Sequence, residues 1–122
     1  MQRIVRRSDF LAAAKAPATS TPGIVIQARN RADGEAFRVG FTCTKKLGNA
    51  VMRNRIRRRM REAARLELPQ LAKASHDYVL IGRIGSETRS FEALRKDIIS
   101  ALTRLHDGAP SAPRKPKDES LQ

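Results

Sequence analysis

Nine cationic side chains crowd the stretch from Lys45 to Arg65: Lys45, Lys46, Arg53, Arg55, Arg57, Arg58, Arg59, Arg61 and Arg65, with Glu62 the one acid among them. The chemistry open to such a set is recognition of a polyanion. A guanidinium presents a planar fork of donors that matches phosphate oxygens two at a time. The chain of 122 residues carries 25 Lys+Arg against 12 Asp+Glu, a net charge of +13, and 9 − 1 = +8 of it falls in this one segment. Eighteen of the 25 basic residues are arginine, a bias toward phosphate and base contacts rather than plain solubility. Charges gathered this way repel one another. Counterion release on binding nucleic acid supplies the compensating drive, and neutralising about six phosphates would give a salt slope near −5.

Other chemistries find no matching pattern. His76 and His106 stand beside Asp77 and Asp107 at predicted loop edges, the arrangement of a surface turn rather than of an acid–base pair. The lone Cys43 has no partner for a disulfide and no Cys or His at zinc spacing. It falls on the apolar side of a strand, where it serves as a small hydrophobe. The carboxylates are scattered, so no protein metal site is expected, and neither Gly-rich phosphate loop occurs. No apolar run approaches the roughly 20 residues needed to span a bilayer, and nothing near Met1 reads as a signal segment. A cytoplasmic protein with no membrane contact is expected.

The elements that must position the basic residues follow from pattern. Ser8 and Asp9 can cap a short helix to Lys15 through Ala12–Ala14, ended by Pro17. Ile24, Val25 and Ile26 lie between breakers and predict a strand over 23–29. Phe37, Val39, Phe41 and Cys43 alternate with Arg38, Gly40, Thr42 and Thr44, a strand with one buried face. The two strands are expected to pair as a hairpin around an exposed tip at 30–35, where Asp33-Gly34 marks a turn. Asn49 caps a helix expected to run to Glu67, about 28 Å long, stopped by Pro69. Along it Met52, Ile56, Met60, Ala63 and Ala64 form one stripe, with Asn54, Arg58, Arg61 and Arg65 opposite and Arg53, Arg55 and Arg57 flanking. Arg59 falls nearer the apolar stripe and is not expected to contact a ligand. Tyr78–Ile81 predicts a third strand, and Ser90 caps a last helix through Leu105, ended by Gly108. The Pro-rich, charged stretch 109–122 reads as a disordered tail, leaving one domain over 1–108. The residues alone give α-β-β-α-β-α, an α+β fold with a mixed sheet. A strand after the basic helix argues against a DNA-reading helix pair and for RNA.

The run KKLGNAVMRNRIRRRMREAAR at 45–65 resembles the signature of the bacterial ribonuclease P protein subunit, in which an Arg-Asn-Arg helix follows a Lys-Lys-x-Gly-Asn-Ala-Val lead-in. Arg38-Val39-Gly40, Asp77-Tyr78 and Asp9-Phe10 resemble other parts of that family, so the likeness spans about Arg3 to Leu105. Composition alone would equally suit a ribosomal protein or an RNA chaperone; the motif separates them. The resemblance implies α-β-β-β-α-β-α, with an extra strand near 18–22 and a left-handed βαβ crossover, an exception to the usual hand, as in a ribosomal-protein domain of the same class. It also implies the work. An RNA subunit carries out Mg²⁺-dependent removal of the 5′ leader from precursor tRNA, and the protein, itself without catalytic residues, binds that RNA and the leader. DNA is not an expected partner.

Carried across the motif, Lys45, Lys46, Arg53, Asn54, Arg55, Arg57, Arg58 and Arg61 face the RNA subunit, and Arg65 joins them by helical face. The leader is assigned to Phe10, Arg3, Arg6, Arg7 and Gln27. Two family aromatics are replaced, by Ala14 and Gln27, in a chain only 4% aromatic. Stacking of unpaired bases therefore rests on Phe10, with backbone and hydrogen-bond contacts around it. The arginines of Met1–Arg7 have no neighbouring acid, which favours disorder of that segment in the free protein.

Overall fold

A computed structural model describes residues 1–107; the tail expected over 109–122 lies outside them. The chain forms β1 (Gln2–Arg3), α1 (Arg7–Ala14), β2 (Ala18–Ser20), β3 (Ile24–Asn30), β4 (Arg38–Thr42), a 3-10 turn (Lys45–Leu47), α2 (Ala50–Leu71), β5 (His76–Gly82) and α3 (Phe91–His106). The five strands make one mixed sheet in the order β1-β4-β5-β3-β2. This is the α+β fold expected, with β2 as the extra strand that the resemblance implied.

The expected hairpin is not formed. β3 and β4 each pair with β5, antiparallel and parallel respectively, and not with each other. The physical reason lies in β5. Tyr78, Val79 and Leu80 are all buried, and a strand apolar on both faces belongs at the centre of a sheet. The 31–37 connection is instead stapled to the turn before β5: Ser75 N–H donates to Glu35 O at 2.7 Å and Gly34 N–H to Ser75 Oγ at 2.6 Å.

Helices α2 and α3 cover one face. Ile24, Ile26 and Ala28 of β3, Val39 of β4 and Tyr78 and Leu80 of β5 meet Ile56, Met60, Ala64 and Leu68 of α2 and Leu94, Ile98 and Leu102 of α3. Each helix starts on the cap expected: Asn49 Oδ1 accepts from Met52 N–H at 2.9 Å and Ser90 Oγ from Ala93 N–H at 3.1 Å. Gly48, at φ +126°, makes the sharp entry into α2 that a side chain would strain. Pro69 does not stop α2. It sits in the last turn, where its missing N–H forfeits one bond, and Ala72 N–H closes the end on Leu68 O at 2.7 Å.

Among the described residues the opposite face carries only α1, in a small second cluster of Ile4, Ala13 and Val79 with Phe10 and Ile81. Helix α1 begins at Arg7, and no side chain caps it; Asp9 is drawn elsewhere, as described below. The N-terminal segment is ordered against expectation. Gln2 and Arg3 pair parallel with Arg38 and Val39, Ile4 N–H donates to Val39 O at 3.0 Å and the Ile4 side chain is buried. One apolar anchor thus offsets the repulsion among Arg3, Arg6 and Arg7. No helix of the described residues is long and apolar enough to cross a membrane.

The two histidines are not independent surface turns. Buried Tyr78 Oη accepts from Lys73 N–H at 2.9 Å and shares a hydrogen bond with His106 Nε2 at 2.7 Å, while the His76 ring stacks on Tyr78. Burial, with the Lys73 and His76 charges behind it, lowers the His106 pKa from 6.5 to about 4. The unfolded chain therefore binds the proton first as the solution is acidified. Stability is full above about pH 6.5 and is lost as pH falls through 4. Between pH 7.5 and 5.5 the loss is about 1 kcal/mol, below the full linkage because the ring is half-exposed. Urea midpoints should fall over that interval in the native chain and stay level in His106→Gln. Equal falls in both would clear His106 of the effect.

Candidate nucleic-acid interface

The lead-in and α2 place the predicted cations as a single basic surface. Lys45 and Lys46 stand exposed on the 3-10 turn, Asn54, Arg55, Arg58, Arg61 and Arg65 are exposed along α2, and Arg53 and Arg57 are half-buried beside them. The pairing pattern sets this surface apart. Arg29, Arg31, Arg38, Arg89 and Arg95 are engaged by Asp9, Asp33, Asp77, Asp97 and Glu67. Among the described residues Arg53, Arg55, Arg57, Arg58 and Arg61 have no acidic partner; Arg57 donates only to Asn54 Oδ1, at 3.0 Å. Arg65 differs, being paired with Glu62 at 2.7 Å. This exposed pair contributes little to stability but leaves Arg65 less free than its neighbours.

Arg59 points away from this surface. Its guanidinium donates to Ser86 O at 3.2 Å, to Glu87 O at 3.5 Å and, through both terminal nitrogens, to Arg89 O. It pins the loop between β5 and α3 to the flank of α2, as its place near the apolar stripe suggests.

The bare edge of the sheet links the two faces. β1 covers β4 only at Arg38 and Val39, so a groove of about 500 Å³ wraps the remainder of that edge, lined by Val5, Arg7, Phe10, Phe41, Thr42, Cys43 and Arg57. Phe10 packs against Gly40 on the α1 side because Gly40 has no side chain: a Cβ there would lie 2.5 Å from Phe10 Cε1. On the α2 side the Arg61 guanidinium lies 5.9 Å from the Phe41 ring centroid, within cation–π range. Burial raises the Cys43 thiol pKa, against the opposing Arg57 and Arg53 charges, which favours the neutral thiol at the groove wall.

The family described as Ribonuclease P matches residues 1–106. The chain belongs to the ribonuclease P protein family. Relatives named ribonuclease P protein component, from Caulobacter vibrioides and Ruegeria pomeroyi, are 54% and 52% identical. The alignments cover 85% of this chain and 70% of the first relative, and 86% of both this chain and the second. The solved RNase P protein of Staphylococcus aureus superposes with a TM-score of 0.72 at 25% identity, over 87% of this chain and 96% of its own. That of Thermotoga maritima gives 0.71 at 24%, over 85% and 97%, a likeness of fold.

As a ribonuclease P protein, the chain has an RNA partner in a ribonucleoprotein, and the residues expected on its leader side are distributed as follows. Arg7 and Phe10 share the groove, and Arg3 and Arg6 flank α1, both exposed. Gln27 lies on β3, paired with Val79 across β5, so alternation turns it to the same face as α1 but two strands from the bare edge. Ala14 is exposed at the end of α1. Residue pattern missed Val5, Phe41, Thr42 and Cys43 as groove residues. Alternation assigned Phe41 and Cys43 to the core, and only the shortness of β1 leaves Phe41 half-uncovered.

Proposed function

We propose that the chain is the protein subunit that holds the RNA subunit of ribonuclease P on α2 and its lead-in and receives the 5′ leader of precursor tRNA on the α1 side of the sheet. The observation that carries this reading is the row of arginines on α2 left without acidic partners among the described residues, while Arg29, Arg31, Arg38, Arg89 and Arg95 in the rest of the fold are held by carboxylates. Such a surface is costly alone and favourable against phosphates. The groove at the β4 edge joins the two RNA-facing sides, with Arg57 and Arg7 at its walls and two phenylalanines between them.

Bond cleavage is assigned to the RNA subunit. Asp9, Asp33, Asp77, Glu67 and Asp97 are bound to arginines, and no group of three His, Cys, Asp or Glu among the described residues converges as a metal would require. Mg²⁺ in this reading sits at RNA phosphates, and the complex works in the cytoplasm. The test is reconstitution at low Mg²⁺ from purified protein, cognate RNA subunit and precursor tRNA. Efficient 5′ cleavage is expected from the mixture and little from either component. Robust cleavage by RNA-free protein, or no gain over RNA alone, would overturn the reading.

A further inference from the structure

Helix α1 is poorly equipped to hold its own place. It has eight residues, no side-chain N-cap and one fully buried side chain, Ala13, while Leu11 is exposed. A helix this short has negligible independent stability. Its apolar contacts with the sheet are non-directional, so they fix its layer but not its lateral position.

Backbone bonds hold the segments on either side, Ile4 N–H to Val39 O and Ala28 N–H to Pro17 O, both at 3.0 Å, and from within the helix the directional side-chain contacts come from Asp9. Its carboxylate accepts from Arg29 Nη1 at 3.1 Å and lies 3.4 Å from Arg38 Nη2. Both arginines also hold Asp77, Arg29 at 3.4 Å and Arg38 through two bonds of 2.8 Å. Asp77 is fully buried and lies between them in register, opposite Arg29 on β3 and Arg38 on β4. The arginines are thus fixed at the sheet end by a buried anchor, and they present their remaining N–H groups to one carboxylate on α1. Charge-assisted bonds of this kind constrain angle as well as distance. The next residue in the chain is Phe10, whose ring rests on Gly40.

We propose that Asp9 is a positioning residue for the leader face: through Arg29 and Arg38 it latches α1 to the sheet and sets where Phe10 and Arg7 stand over Gly40 and the groove. The proposal rests on the reading that this face takes the leader. It adds a residue that touches no RNA and adjusts leader recognition without touching the α2 surface.

The test separates latch from leader. Gly40 α-protons lie against the Phe10 ring and carry its ring-current shift, readable by NMR in the free protein. Asp9→Asn should move them toward ordinary glycine values. In the reconstituted complex it should cut the preference for leader-bearing over leaderless tRNA by about 10-fold and change RNA-subunit affinity less than twofold. Asp9→Glu, which keeps the charge, should restore part of both. Arg29→Lys is read the same way should Asp9→Asn not fold. Unmoved Gly40 protons, or an RNA-subunit affinity that falls as far as leader preference, would overturn the latch. A wild-type complex with no leader preference would instead overturn the leader reading and the functional half of the proposal with it, while the Gly40 shift still reports on the latch.

Discussion

Asp77→Ala is expected to lower the unfolding free energy by about 3–5 kcal/mol, the cost of removing one partner from a buried ionic cluster, and Tm by about 15 °C. Asp77 is fully buried, yet it receives Arg31 Nη1 at 2.5 Å, Arg38 Nε and Nη2 at 2.8 Å and Arg29 Nη1 at 3.4 Å. Removing it leaves three guanidiniums facing one another with Asp9 and Asp33 as their remaining acids. Arg31, nearly buried itself, would keep only Asp33 and the carbonyls of His76 and Ala36. The carboxylate also governs acid behaviour. Burial pushes its pKa up, but the bonds from Arg38 and Arg31 outweigh that and leave it below the ordinary carboxylate value. A depressed folded-state pKa adds stability that is present above the unfolded carboxylate range, about pH 4, and is lost as pH falls below it. Asp77→Asn should therefore melt lower at pH 7 and show a shallower acid limb than the native chain. A variant melting within two or three degrees of native would show that the cluster is dispensable.

Asp77 also shows which parts of the molecule were legible in the residues. Arg29, Asp77 and Arg38 are cross-strand neighbours only because β5 lies between β3 and β4. The residue pattern favoured a local hairpin because closing a short connection costs less entropy than a long one. The competing signal was present in the unbroken apolar run of β5, which marks a central strand. Helix α2 was legible almost completely, since its stripe and its arginine face depend on contacts three and four residues apart. The same periodicity turned Arg59 away from the exposed arginine row, and the structure gives it three carbonyls. The order of β1 was not legible, because a two-residue strand held by Ile4 leaves no periodic trace. The groove inherits that opacity: its existence depends on how little of β4 is covered by β1.

Replacing Arg53, Arg57, Arg58 and Arg61 together by alanine should weaken RNA-subunit binding by about 10³-fold, at about 1 kcal/mol per contact, and reduce the magnitude of the salt slope by about 4. Arg58→Ala alone should reduce it by about 1. The fold should not suffer. These four side chains make no ion pair among the described residues, and what they do make, the Arg61 contact with Phe41 and the Arg57 bond to Asn54, is exposed and weak; against it, Arg57 and Arg61 repel at i, i+4, and alanine is the better helix former. Tm should hold or rise slightly. Arg59→Ala should behave in the opposite way. Its guanidinium serves the carbonyls of Ser86, Glu87 and Arg89, so its loss should destabilise the chain by about 2 kcal/mol and leave the salt slope unchanged. Measuring melting and salt-dependent RNA binding on both variants turns one helix into its own control. If the quadruple variant lost stability in proportion to affinity, the arginine row would be part of the scaffold. If Arg59→Ala reduced the slope, the division of α2 into a phosphate-facing row and a loop-pinning flank would be wrong. The expected crossing of effects has a single physical origin: a cation already satisfied by carbonyls stabilises the fold, and one left without a partner is free to meet phosphate.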